Sequence, residues 1–481
     1  MALLELTSAE TYSTLGWSEN AAALESSNCG LHSWAHPAEL PAVKLLTSFL
    51  LLGALGLLGL TSAAAQEPKP PDHFDPEQID SYLASEALRK GRVGLSVAIM
   101  KDGNLALAKG YGQASAEGNV PAGVETLFAI GSITKQFTCA CVLLLAQDRK
   151  LSIHDKVSRY FPGLTHADAI TVLDLMNHTS GYPDYYPLDF VDRRMQKPIT
   201  PEALIEQYAG GKLDFEPGTA WSYSNTGFII LGRIVEKVSG QSFGDFLADR
   251  VLKPLGMAHT AYEPDPRDKR LATGYTSFAL SGPEAAPPEA KGWIGAAGGL
   301  YSTPGDLAKW DLALMEGKVL KPEFYKVMTT AREISPGKTT GYGCGLSVGI
   351  QEGRTVLRHG GAVSGFNAYN AFIPATKSAA VVLCNKEGGL GSLPDTLLGL
   401  LLKEESHVHK VSALPAAEAV KAVFAQFQSG KVDRTQFGAE FNVFLSDDKI
   451  NGAAKRLKNL GTPREAEVIQ TRERGGMEVI R

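Results

Sequence analysis

An α+β domain whose sheet is assembled from both ends of the chain is the fold this sequence predicts, and three observations lead to it. Residues 93–100 and 105–111 are short β-rich runs separated by Asp102-Gly103-Asn104, a hairpin turn signal. Residues 342–350, 356–359, 367–373 and 378–383 are four more strand-like runs far along the chain. From about 150 to 290 the sequence is helix-rich and punctuated by Pro and Gly. Strands at both ends with helices between them imply one α+β domain.

The elements follow in order. The first 65 residues read as a leader: residues 45–66 carry no charge, 45–60 are almost wholly apolar, Lys44 precedes them, and Ala63-Ala64-Ala65-Gln66 follows. This predicts a secretory signal peptide cleaved after Ala65 and a periplasmic or secreted protein. A stretch of about 20 uncharged residues can also span a bilayer, so an uncleaved membrane anchor is the competing reading. The short dense apolar part and the small-residue exit favour cleavage. Residues 1–43 contain Glu5, Glu10, Glu19, Glu25 and Glu39 and no Lys or Arg, the opposite of a basic n-region. Translation is therefore expected to start near Val43.

Residues 66–74 form a Pro-rich linker, and 75–88 an amphipathic helix. Residues 132–147 are a helix too apolar to be exposed, so it should be central. A second helix is expected over 228–238, and 395–402 closes a domain that spans 75–405. A charged linker, 406–414, leads to a small α+β unit over 415–481, possibly cut short. It has helical patterns at 416–429, 435–444 and 449–460 and strand-like runs at 465–470 and 477–481.

Composition excludes several classes of function. Of 481 residues, 44% are hydrophobic and 21% charged, with 47 Lys and Arg against 52 Asp and Glu, a net charge of −5. That is ordinary for a globular protein, and without a basic patch no nucleic-acid partner is expected. Cys139 and Cys141 lie two apart on a helix and point apart, Cys344 and Cys384 lie in strand-like runs, and no zinc spacing is present. Buried free thiols are expected, with no metal and no cofactor.

The chemistry starts at Ser132-Ile133-Thr134-Lys135. On a helix, positions i and i+3 share a face, with Cβ atoms about 5–6 Å apart. The lysine amine is then placed to take the serine proton, and the helix-terminal amides to hold an oxyanion. Taken alone, such a pair is more often an exposed serine and lysine. Tyr223-Ser224-Asn225 adds a phenol, usable as a base where a cation lowers its pKa, and an amide suited to a substrate carbonyl. An N-cap with a packed tyrosine is the bland alternative. His359-Gly360-Gly361-Ala362 ends a strand with two glycines that admit close approach, and the Ala362 amide pairs with that of Ser132 as an oxyanion hole. A β-turn with a surface histidine is the bland alternative here.

In this order and at these separations, S-x-x-K, Y-x-N and H-x-G resemble the serine β-lactamase and penicillin-binding-protein superfamily, most of all its class C, D-aminopeptidase and family VIII esterase branch. Flanking stretches agree: Leu175-Met176-Asn177-His178-Thr179-Ser180-Gly181, Pro254-Leu255-Gly256-Met257 and Ala296-Ala297-Gly298-Gly299. The resemblance implies a β-lactamase-like fold, with an antiparallel sheet flanked by helices and an all-helical subdomain. It implies an acylated Ser132, a base role shared by Lys135 and Tyr223, and substrate contacts from Asn225, His359, Gly361 and Ala362. The β-lactamases and transpeptidases usually carry Lys-Thr-Gly at the third motif. His359-Gly360-Gly361 lacks that cation and hydroxyl, so recognition of a substrate carboxylate should weaken.

Other motifs are decoys. Gly345-Leu346-Ser347-Val348-Gly349 fits a nucleophile elbow in spelling, but the run is strand-like with no helix after it. His407-Val408-His409 sits in the charged linker, and His178 is expected to anchor a loop. The expected protein is an exported serine hydrolase acting through an acyl-enzyme on ester or amide substrates, including D-amino-acid peptides. The alternatives are a β-lactamase or D,D-peptidase, or a non-catalytic relative that binds peptidoglycan fragments or a partner.

Overall fold

The structure is a computed structural model, and it describes residues 69–87, 92–186, 193–277, 281–403, 416–466, 468, 471–474 and 477–480. The leader, the expected start near Val43, and His407 and His409 lie outside the described residues. The chain divides into two compact units, one of which runs from residue 68 to 406.

The larger unit is built on seven strands: β1 (Gly94–Lys101), β2 (Asn104–Ser115), β3 (Val120–Pro121), β4 (Ser347–Gln351), β5 (Arg354–Val363), β6 (Phe366–Ile373) and β7 (Ser378–Cys384). Their order is β4-β5-β6-β7-β1-β2-β3, antiparallel at every pairing. The two ends of the chain meet where β1 pairs β7, with Val97 opposite Val382 and Ile99 opposite Ala380. The β1–β2 hairpin turns through Asp102 and Gly103, at φ 51° and 78°. Left-handed backbone at both central residues matches the right-handed twist of a two-stranded ribbon.

β1 is buried on both faces because both are covered. On one face Leu95, Val97 and Ile99 join Ile79 and Leu83 of helix α1 (Pro76–Ala87) and Leu397 and Leu401 of the helix at Leu393–Leu402. On the other, Ala98 and Met100 join the core of helices α2 (Thr134–Gln147), α3 (Asn225–Ser239), α4 (Gly295–Gly298) and α5 (Pro304–Met315). Twelve of the 14 residues of α2 are buried, as its all-round apolar sequence requires.

Three expectations need correction. The 342–350 run is no continuous strand: the chain turns back through Gly341 and Gly345, at φ 70° and 72°, and only Ser347–Gln351 is extended. Ser347 still lies in a strand, paired with Arg358, with no strand-to-helix turn behind it. The strand around His359 is longer than expected, reaching Val363 because Gly360–Ala362 continues the ladder to β6. Residues 465, 466 and 468 belong to no strand; the described strand there is Thr471–Arg474.

The C-terminal unit holds helices at Ala416–Ser429, Ala439–Phe444 and Asp447–Leu457 and a hairpin of Thr471–Arg474 with Met477–Ile480. Phe427, Phe437, Phe441 and Phe444 form a chain of ring contacts inside it. Cys139, Cys141, Cys344 and Cys384 are buried free thiols. No helix of the described residues is long and apolar enough to cross a membrane.

Candidate active site

Ser132 sits in a single 3₁₀ turn, Gly131–Ile133, that runs straight into α2. Gly131 takes φ 50°, and β5 crosses so close that a Cβ there would lie 2.8 Å from the Ala362 nitrogen. At Gly361 a Cβ would lie 2.0 Å from the Ile130 carbonyl oxygen. These two glycines let strand and turn touch backbone to backbone, which brings the amides of the Ser132 turn and Ala362 to one place.

Lys135, one turn on, is fully buried. Its Nζ lies 3.0 Å from Ser132 Oγ, 2.7 Å from Asn225 Oδ1 and 2.8 Å from the Ala297 carbonyl. The last two oxygens only accept hydrogen bonds. A neutral amine has two hydrogens for them and one lone pair left, directed at the Ser132 hydroxyl. Burial lowers the Lys135 pKa to about 7, and the Asp184 charge opposes that fall.

The Tyr223 ring stands over the same amine, 4.9 Å from Nζ to the ring centroid. Burial pushes its phenol well above the usual value. Burial thus disfavours the Tyr223 phenolate while it brings the Lys135 amine near neutrality beside the same serine.

Asn225 is tied to two protein groups. Its amide nitrogen is 3.1 Å from each oxygen of Asp184, and its oxygen takes Lys135. The amide therefore bridges Lys135 and Asp184 at the cavity wall. His178 is the anchor that was expected. Its Nδ1 accepts the Ser224 amide at 3.1 Å, and its ring lies 4.3 Å from that of Tyr223. Burial holds its pKa well below the ordinary range.

His359 is buried at the wall of the site, between Tyr342 and the Gly360 carbonyl. Burial, then the nearby Lys135, lowers its pKa to about 4. Ser132, Tyr223, Asn225, His359, Gly361 and Ala362 all line one cavity of about 540 Å³, and Lys135 lies behind it. Sequence reasoning missed Asp184, Tyr342 and the Ala297 carbonyl. Asp184 lies in Tyr182-Pro183-Asp184-Tyr185-Tyr186, directly after a stretch already singled out, where a lone acid among aromatics was a usable signal. A main-chain carbonyl leaves none.

The family model described as Beta-lactamase matches residues 76–402. Protein flp of Staphylococcus aureus (strain MW2) is 29% identical over 322 residues, 64% of this chain and 63% of flp. A D-aminopeptidase of Gluconobacter oxydans (strain 621H) is 30% identical over 320 residues, 64% of this chain and 58% of that protein. The chain thus spans just under two thirds of the length of these curated relatives. Among solved structures, the octameric penicillin-binding protein homologue from Pyrococcus abyssi aligns with a TM-score of 0.61 at 31% identity, over 68% of this chain and 78% of that one. D-amino acid amidase from Ochrobactrum anthropi SV3 aligns with a TM-score of 0.57 at 26% identity, over 66% and 96%.

Proposed function

The chain belongs to the beta-lactamase family and has its fold, and on that premise we propose that it is a serine hydrolase turning over amides and esters through an acyl-enzyme on Ser132. One observation carries the reading: the buried Lys135 amine meets two pure acceptors and the Ser132 hydroxyl, the arrangement of a neutral general base.

The steps follow from the geometry. Lys135 Nζ takes the Ser132 proton as Oγ bonds to the substrate carbonyl carbon. The amides of Ser132 and Ala362 hold the oxyanion. As the bond to the leaving nitrogen or oxygen breaks, the Tyr223 hydroxyl protonates it and is refilled from Lys135. Water then adds to the acyl carbon, giving its proton back through the same pair, and the Ser132 ester breaks.

The substrate reading rests on charge. His359 stands neutral where a carboxylate-binding cation would be needed, so the site favours acyl groups without a carboxylate there. Relatives that act on D-amino-acid amides and peptides support amides of D-residues as the substrate class. The apolar run at 45–60 and the small residues after it support export with the leader removed. The mature N-terminus of protein isolated from its host tests that point.

The main test is labelling with a fluorophosphonate probe beside turnover of p-nitrophenyl butyrate, a D-alanyl p-nitroanilide and nitrocefin. Ser132→Ala should lose all labelling and about 10³-fold or more in turnover. Turnover retained in Ser132→Ala would sink the mechanism, and nitrocefin hydrolysis well above the ester rate would overturn the substrate reading.

A further inference from the structure

Asp184 is the sole carboxylate among the described residues lining the catalytic cavity. Its Oδ1 accepts the Asn225 main-chain N–H at 2.9 Å and, with Oδ2, the side-chain amide at 3.1 Å. We propose that Asp184 is a positioning residue for acylation: it turns the Asn225 amide oxygen toward Lys135 and places a fixed negative charge behind the Lys135 amine. The inference rests on the reading of Ser132 and Lys135 given above.

The orientation argument is one of donors and acceptors. A flipped Asn225 amide would set NH₂ against the Lys135 donors and oxygen against a carboxylate, two unfavourable contacts at once. Asp184 forbids that flip. The residue is itself held in place. Thr226 Oγ1 donates to the Pro183 carbonyl at 2.6 Å, and the Tyr185 hydroxyl donates to the Trp293 carbonyl. Asp184 also fills a vacancy at the start of α3. Ser224, the residue before that helix, makes no side-chain cap, and the distant carboxylate takes the first helical N–H instead. A negative group there is favoured by the helix dipole.

The charge argument comes from the inventory around Lys135. Ser132 and Cys139 face it from the 3₁₀ turn before α2 and from α2 itself. Tyr223, Asn225 and the Ala297 carbonyl face it from the α3 loop, α3 and α4, and His178 and His359 from the 177–181 turn and β5. Burial keeps Cys139 a thiol and Tyr223 a phenol, and both histidines are held neutral. Among the described residues facing Lys135, the ammonium formed when it takes the Ser132 proton is therefore balanced by Asp184.

The test compares Asp184→Asn, Asp184→Glu and wild type in two readouts. One is the pH dependence of kcat/KM on p-nitrophenyl butyrate; the other is the ¹³Cε NMR titration of Lys135 in lysine-labelled protein. Asp184→Asn should move both midpoints about one pH unit lower, with kcat reduced more than KM is raised. Asp184→Glu should keep the midpoints and lower only the plateau. Unchanged midpoints in Asp184→Asn, or a plateau loss with no shift, overturn the proposal and leave a merely structural residue. If Asp184→Asn does not fold, Asp184→Glu decides: retained midpoints support the proposal and lowered ones overturn it. Failure of the hydrolase reading is separable, because it removes Ser132 labelling while the Lys135 titration still reports on Asp184.

Discussion

The Tyr342 hydroxyl lies 2.8 Å from Nε2 of His359, while Nδ1 of the same ring lies 2.5 Å from the Gly360 carbonyl. A carbonyl only accepts, so Nδ1 carries the ring hydrogen and Nε2 accepts from Tyr342. Both ring nitrogens are occupied within the protein, and the ring gains a proton only as pH falls toward about 4. At neutral pH His359 offers a substrate no charge.

Restoring a cation should therefore redirect specificity. His359→Lys is expected to raise the ratio of nitrocefin to p-nitrophenyl butyrate turnover about tenfold, the scale of one hydrogen bond to a charged group. Parallel kcat/KM measurements on the two substrates check it. An unchanged ratio would show that the substrate carboxylate does not reach this wall.

Lys135 sets the pH dependence. Its neutral form is the base, and its folded pKa is lowered to about 7. As pH falls through 7 the amine is protonated and loses its lone pair, so kcat/KM should fall about tenfold per pH unit on the acid side. No such limb should arise from Tyr223, whose phenol is pushed above its ordinary value. A flat kcat/KM between pH 5 and 8 would contradict a Lys135 base.

The same lysine costs stability. Its pKa falls from 10.5 unfolded to about 7 folded, so between those values the unfolded chain binds the extra proton. Stability then rises with pH across that window, and at pH 7 the folded state carries most of the penalty. Lys135→Met should abolish turnover yet flatten the rise of Tm between pH 7 and 10, and melt at or above wild type at pH 7. The net gain is limited to about 1–3 kcal/mol, because Asn225 Oδ1 and the Ala297 carbonyl lose a buried donor. Thermal melts across that pH range decide it.

Gly361 tests the contact between strand and nucleophile turn. A Cβ would lie 2.0 Å from the Ile130 oxygen, which is backbone and has no rotamer to escape into. Gly361→Ala should cost about 3 kcal/mol of stability by forcing the two segments apart. It should also slow fluorophosphonate labelling about 100-fold by opening the oxyanion hole. Gly360→Ala is the control, since the nearest atom to its added Cβ is 3.9 Å away. Chemical denaturation and labelling rates of the two variants should differ accordingly.

Much of the scaffold was legible because its signals are local. The β1–β2 hairpin announces itself through Asp102-Gly103, and α2 through an apolar surface on every side. The 342–350 run misled because apolar and β-branched residues mask a turn that glycines at 341 and 345 impose. The site was legible as a set of residue types but not as a set of partners. Asn225 stood out as an amide beside the nucleophile, but its bond to Asp184 was not legible, because that residue is 41 positions away. His359 was legible as lacking a permanent cation, but the burial and the Tyr342 contact that hold it neutral were not, because they act only after β5 is packed.

The sequence by itself determined the chemistry available: Ser132 and Lys135 one helical turn apart, a phenol, an amide and a glycine-lined strand end. Those follow from side-chain identity and helix periodicity, which act over a few residues. The tertiary structure alone decided the protonation states. Lys135 is brought near neutrality, Tyr223 is kept a phenol and His359 is kept uncharged by desolvation and by groups from separate segments. Desolvation is a property of the closed cavity, and only the folded chain has one.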